Sequence, residues 1–210
     1  MEPEELLDFL SSRASVTRYT DEDLDREQIG TILEAGRWAP SAGNMQCWEF
    51  IVVEDKKIKE KLSMYSYNQS HIRKAPICIV VLGDEEKATR RFKERGKNLY
   101  MIQETAAAMQ NMLLMAQSLD LGAAWVGAFK EEDVKDLLEI PENLRPLSMI
   151  TVGYPRERPH ASEKKRMVES TFVDTYGQRL HRLMEKREWK GLKTYFERFK
   201  EKIKREVGSD

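Results

Sequence analysis

Apolar positions recur with two distinct periods along this 210-residue chain. Ile29, Ile32, Leu33 and Gly36 fall at three- and four-residue spacing, which predicts a helix with one apolar face. Asp25 followed three residues later by Gln28 supplies a capping box to start it, and Pro40 must end it. Pro3 with Glu4 and Glu5 suits the first turn of a short helix, where the missing proline N–H is not needed and acids complement the positive end. Trp48 to Val53 and Ile77 to Leu82 are short β-branched runs that predict strands. Residues 56–74 between them read as helical with a break near 65–70. From Glu104 to Leu119, Ala, Met and Leu occupy nearly every side, which predicts a fully buried central helix. Residues 123–129 and 147–154 supply two further strands, separated by a charged helix over 130–138.

Near the C-terminus Leu192, Phe196, Phe199 and Ile203 form an apolar stripe on a helix otherwise made of Lys, Arg and Glu. That stripe needs a cover. A membrane surface is one choice, but Glu197, Glu201 and Glu206 interrupt the positive face and favour docking on the body of the protein or on a partner. The expected organisation is a main domain over 1–177 and a C-terminal helical extension over 178–210.

Alternating strands and helices suggest a doubly wound nucleotide fold. No G-x-G-x-x-G or G-x-x-x-x-G-K-[ST] follows any strand, so the common phosphate-loop readings fail. Lys plus Arg number 35 against 36 Asp plus Glu, a net charge of −1 that offers no electrostatic case for nucleic acid. Charged residues make up 34% of the chain, the mark either of thermophilic ion-pair networks or of many exposed helices. Cys47 and Cys78 are isolated from each other and from any His cluster, which argues against a disulfide framework or a metal site and for a reducing cytoplasm. The opening Met-Glu-Pro-Glu-Glu has no apolar stretch after it, so neither a secretory signal nor membrane association is expected.

Two segments carry candidate chemistry. Arg13-Ala14-Ser15-Val16-Thr17-Arg18-Tyr19 concentrates guanidinium and hydroxyl groups, and Ala39-Pro40-Ser41-Ala42-Gly43-Asn44-Met45-Gln46-Cys47-Trp48 places a hydroxyl and two amides within six residues. Guanidinium groups bind phosphate through charge-assisted, often bidentate bonds, while Asn and Gln offer a donor and an acceptor to a planar heterocycle. A phosphorylated heterocyclic cofactor satisfies both halves. Taken singly, the same residues read as solvated arginines and a turn.

The ordered pair resembles the nitroreductase family of FMN-dependent oxidoreductases. The resemblance continues through Ala75-Pro76 before a Val/Ile-rich strand, Leu121-Gly122 followed by Trp125-Val126-Gly127, and Val152-Gly153-Tyr154-Pro155 with Arg166 beyond, covering roughly residues 5–177. It implies an α+β fold, a small mostly antiparallel sheet wrapped by helices, in an intertwined homodimer with flavin sites at the interface. It also implies that Arg13, Ala14, Ser15 and Thr17 border the FMN phosphate and ribityl chain, with Arg166 closing on the phosphate. Pro40, Ser41, Asn44 and Gln46 would border the isoalloxazine or reach the partner's flavin. Asn68 and His71 would face the pyrimidine edge, Glu104 would fill the family's acidic position, and the Gly127 N–H, between Val126 and Ala128, would point at flavin N5.

Each residue also has a plain structural reading. Asn44 suits a turn, with Gly43 able to take the left-handed position in its place; His71 suits a structural or solvent-facing role, and Glu104 the start of a helix. Two positions depart from the family pattern: Thr17 stands where a basic residue is usual, with Arg18 following, and Cys47 replaces a frequent proline. By resemblance the activity is hydride transfer from NAD(P)H to the flavin, followed by reduction of a nitroaromatic, quinone or other electron-poor acceptor. The alternatives are a flavin-binding protein without turnover, and reductive dehalogenation or flavin fragmentation on the same scaffold.

Overall fold

A computed structural model of the chain describes residues 2–179. The chain divides into two compact units, Met1–Ala161 and Ser162–Asp210. The first holds four antiparallel strands, β1 (Trp48–Val53), β2 (Ile77–Asp84), β3 (Gly122–Val126) and β4 (Leu144–Gly153), in the order β1-β2-β4-β3. Its helices are α1 (Pro3–Ser12), α2 (Arg26–Arg37), α3 (Lys56–Tyr65), α4 (Ser70–Lys74), α5 (Glu85–Arg95), α6 (Met101–Ser118) and α7 (Glu131–Leu137).

The central strands are apolar on both faces because both are covered. Ile77, Ile79 and Val81 of β2 join Ile29 and Ile32 of α2 and Met109, Met112 and Leu113 of α6. Cys78, Val80 and Leu82 turn the other way, onto Leu62 of α3, Ile72 of α4 and Val134 of α7. This is the wrapped α+β sheet that the resemblance implied. α2 begins as expected, with the Asp25 carboxylate accepting the Gln28 N–H at 2.7 Å and the Gln28 amide oxygen accepting the Asp25 N–H at 3.1 Å.

Two expectations shift, and one helix appears that the sequence reading did not place. α6 is not buried all round within one chain: Met101, Ala108, Met109, Met112 and Ala116 are enclosed while Ile102 is 42% exposed, because the sheet covers only one side of it. β3 stops at Val126 rather than at 129, leaving Gly127 and Ala128 exposed beyond the ladder. Ahead of α6 lies α5, which breaks at Phe92 and Lys93 and leads into a π-helical turn, Gly96–Tyr100. Its run of Lys, Arg and Glu carries no apolar period to announce it.

Cys47 and Cys78 are buried, and desolvation pushes both thiols up to about 12, with the nearby Glu104 carboxylate adding to the effect at Cys47. Neither should react with a maleimide at pH 7 in the native protein, while denaturation should release two labelled thiols. Mass spectrometry before and after denaturation checks this.

In the second unit, α8 (Met167–Ser170) begins after Arg166, whose Nε donates to Glu169 Oε1 at 2.7 Å and holds that carboxyl below its usual range. Phe172 stacks on Tyr176, with ring centroids 4.5 Å apart, and the Arg179 guanidinium lies over the Phe172 ring. The apolar stripe at Leu192, Phe196, Phe199 and Ile203 lies outside the described residues.

Candidate functional site

Two glycines let the Arg13 segment lie against the end of the sheet. A Cβ on Gly122 would sit 2.5 Å from Val16 Cγ1, and one on Gly153 would sit 2.5 Å from Pro76 Cδ and 2.9 Å from Tyr19 Cδ1. The Val16 N–H donates to the Ala123 carbonyl, Thr20 N–H to Tyr154, and Tyr19 bridges Pro155. The buried Tyr19 hydroxyl is within 2.5 Å of the Val16 carbonyl and 2.7 Å of Thr151 Oγ1, and burial raises its pKa well above the ordinary phenol value. Val16 and Tyr19 thus anchor the segment, which leaves Thr17 and Arg18 exposed between them and Ser15 exposed just before.

Thr17 and His71 line one open cleft of about 1150 Å³, together with Arg18, Arg73 and Arg156. His71 Nε2 is buried and has no hydrogen-bond partner among the described residues, and burial draws the imidazole pKa below its ordinary value. A neutral ring with an unsatisfied nitrogen at a cleft wall needs a polar partner. Lys59, 3% exposed, donates to the Ala75 and Pro76 carbonyls at 2.7 and 2.6 Å and fixes the turn that follows His71. Nothing in the sequence separates this lysine from the surface lysines of α3.

Asn68 takes a left-handed backbone at φ 60° and is exposed, and its neighbour Gln69 donates to the Ala128 carbonyl at 3.0 Å. That bond brings the Asn68 to His71 turn beside Val126, Gly127 and Ala128. An added Cβ on Gly127 would meet only Trp125 side-chain atoms, no closer than 3.6 Å. The protein's own packing does not demand glycine there, and the backbone is open to close approach. Arg13, half-buried, makes no hydrogen bond or ion pair among the described residues and borders, with Ala14 and Arg158, a recess of about 120 Å³. Gln117 Oε1, buried and unpartnered, lies at the same recess.

The other predicted loop lies elsewhere in the single chain. Ser41 Oγ accepts the Gln46 N–H at 3.1 Å, and the Gln46 amide donates to Asn44 Oδ1 at 3.0 Å. Pro40 and Asn44 are exposed. Gly43 does take a left-handed backbone, at φ 55°, but so do Asn44 at 58° and Gln46 at 53°. Asn44 and Gln46 line a separate cavity of about 540 Å³ and do not share the cleft of Thr17 and His71. Glu104 is 3% exposed and accepts the Cys47 N–H at 2.6 Å, with its second oxygen unpartnered. Its carboxylate is turned into the protein, so in this chain it steadies the loop from beneath. Among the described residues no three His, Cys, Asp or Glu gather as a metal site, and no helix is long and apolar enough to cross a membrane.

The recess at Arg13 is bordered by one guanidinium without an ion pair among the described residues and by Arg158, which donates to the Asp120 carbonyl at 2.6 Å, while Ser15 is exposed outside its lining. The cleft presents an orphaned imidazole nitrogen and a threonine, and Gly127 lies outside its lining, one residue before the Ala128 carbonyl that Gln69 holds. The fold defines an α+β protein in which no phosphate loop follows any described strand.

Comparison with known proteins names the family. The nitroreductase family pattern matches residues 10–69 and 63–154. A protein of Archaeoglobus fulgidus with a provisional NADH dehydrogenase/NAD(P)H nitroreductase name is 35% identical over 159 residues, 73% of this chain and 87% of its own length. The Bacillus subtilis FMN reductase [NAD(P)H] is 31% identical over 167 residues, 73% of this chain and 67% of its own. The structure of an FMN-dependent nitroreductase from Clostridium difficile superposes with a TM-score of 0.71 at 25% identity, covering 81% of this chain and 99% of that one. The chain belongs to the nitroreductase family.

Proposed function

We propose that the chain is an FMN-dependent NAD(P)H oxidoreductase, acting as a homodimer on a nitroaromatic, quinone or similar electron-poor acceptor. The observation that carries this reading is the cleft that joins Thr17 to the unpartnered His71 Nε2, beside the open backbone at Gly127. Relatives named for FMN reduction and for NAD(P)H nitroreduction support the cofactor and the electron donor.

Arg13, Ser15 and Arg166 would hold the FMN phosphate, and Ala14 and Thr17 would follow the ribityl chain. Asn68 and His71 would meet the polar edge of the ring, with Val126 and Ala128 flanking the Gly127 N–H that receives its central nitrogen. Bound FMN supplies hydride acceptance from the reduced nicotinamide and onward delivery of electrons. The residues supply position: no side chain has to move a proton in the hydride step, which accounts for a site with no triad and no carboxylate pair. Thr17 in the usual basic position and a neutral His71 leave the polar edge without a fixed charge from either residue.

Exposed apolar surface supports a second copy. Leu6, Leu7 and Leu10 of α1 are 40–45% exposed, Trp38 is 73% exposed and Ile102 of α6 42%, apolar surface that an intertwined partner would cover. Pro40, Ser41, Asn44 and Gln46 would then serve the partner's flavin, which agrees with their distance from the Thr17 cleft in sequence and in lining. The test is the visible spectrum of the purified protein, followed by NADH or NADPH added without air. Flavin bands that bleach are the expected result; a colourless protein that takes up no added FMN would sink the reading.

A further inference from the structure

The cavity of about 540 Å³ beside the Asn44 loop is walled by cations, and the flavin reading leaves them without a role. Arg37, Lys87, Arg90 and Arg91 line it with Gln46 and Trp48, and no carboxylate joins the lining. Lys87, Arg90 and Arg91 stand at i, i+3 and i+4 of α5, so one helix face presents all three. Arg37 faces them from the end of α2.

These four are not equivalent. Arg37 is paired with Glu34 and Arg90 with Glu86, each within its own helix, and Lys87 Nζ donates to the Gln46 carbonyl at 3.0 Å. Arg91 makes no ion pair among the described residues. Its guanidinium carbon lies 5.5 Å from the Phe92 ring centre, and its terminal nitrogen is 3.0 Å from where a Gly43 Cβ would be. A ring on one side and a glycine on another border the exposed planar fork without using up its donors. Such a fork is suited to bidentate recognition of phosphate, and Lys87 beside it adds charge of the same sign, while Arg37 and Arg90, each balanced by a glutamate, add further N–H donors. The chain as a whole is near neutral, so this concentration is local rather than a by-product of a basic composition.

We infer that this cavity binds the diphosphate of the reduced pyridine nucleotide, with Arg91 as the principal contact. The inference rests on the proposed function: the Asn44 and Gln46 loop that edges the cavity is the one assigned to the flavin ring, so a dinucleotide seated by its diphosphate here extends toward that ring. The volume lies within the range of small-molecule sites, roughly 300–1,000 Å³. A diphosphate also matches several cations spread over two helices better than a single carboxylate would.

The experiment uses the full chain loaded with FMN, in wild-type form and as Arg91→Ala, Arg91→Lys and Arg90→Ala with Arg91→Ala. KM and kcat are measured with NADPH and NADH, and again with N-benzyl-1,4-dihydronicotinamide, a hydride donor that carries no phosphate. ADP-ribose, which carries the diphosphate and cannot donate hydride, is titrated calorimetrically against each form, with inorganic phosphate as the comparison. The double variant is expected to raise KM for the dinucleotides about tenfold or more, with kcat little changed, and to weaken ADP-ribose by a similar factor. Arg91→Lys should recover part of that loss, and the benzyl donor should show no such dependence. Unchanged dinucleotide KM and ADP-ribose affinity would overturn the inference. So would an equal loss with both donor types, which would place the effect at the flavin, or ADP-ribose binding no tighter than inorganic phosphate, which would leave only a free-anion site. If no donor bleaches the flavin, the proposed function fails, while the ADP-ribose titration still decides the cavity.

Discussion

Arg13→Ala combined with Arg166→Ala is expected to give a folded protein that no longer retains flavin. A charge-assisted hydrogen bond to phosphate contributes about 1.5–3 kcal/mol, so each arginine should be worth about 10- to 150-fold in FMN affinity and the pair at least about 100-fold. Stability should barely move. Arg13 makes no hydrogen bond or ion pair among the described residues, and Arg166 loses only the exposed pair with Glu169. Flavin absorbance per mole of protein after desalting, set beside the thermal midpoint, separates the two effects. Full flavin retention in both single variants and the double would show the phosphate assignment to be wrong.

Gly153→Val should do the reverse, costing stability first and flavin as a result. The new side chain would enter where Pro76 Cδ and Tyr19 Cδ1 already stand within 2.5 and 2.9 Å of the first added carbon. Neither neighbour can turn aside, since one is a ring locked into its backbone and the other is held by its hydroxyl to Val16 and Thr151. Overpacking of this kind costs about 3 kcal/mol. It also lifts the segment that carries Arg13, Ser15 and Thr17, so FMN affinity should fall although no ligand-facing side chain has changed. A denaturation midpoint within error of wild type would mean the sheet end is looser than these contacts require.

The sheet and its flanking helices were legible because burial writes a period. β2 reads Ile-Cys-Ile-Val-Val-Leu, apolar at every position, and a strand with both faces covered has to read so. α5 was not legible: Glu-Glu-Lys-Ala-Thr-Arg-Arg buries little beyond Ala88, and its helical state depends on what surrounds it. In the candidate site, Arg13, Thr17 and the Gly127 turn were singled out by motif; Thr17 lines the larger cleft and Arg13 the smaller recess. Lys59 and Gln69 could not be found that way. Both act on main-chain carbonyls, and a carbonyl leaves no trace in the one-letter code. Whether Asn44 and Gln46 border this cleft or another was left open by the sequence, since spacing along the chain does not say which cavity a loop lines.

The Arg13 segment has a second task that follows from where it lies. β3 is an outermost strand of the sheet, paired only with β4 among the described strands, and such a strand offers open main-chain groups to any passing β-structure. Val16 donates to Ala123 at 3.0 Å, and Tyr19 bridges Pro155 at the end of the neighbouring strand, so the residues that hold the Arg13 segment in place also shield this border from self-association. Solubility and the proposed cofactor capture would therefore draw on one short stretch of chain, and a substitution there chosen to retune the flavin would also alter the sheet's defence against aggregation.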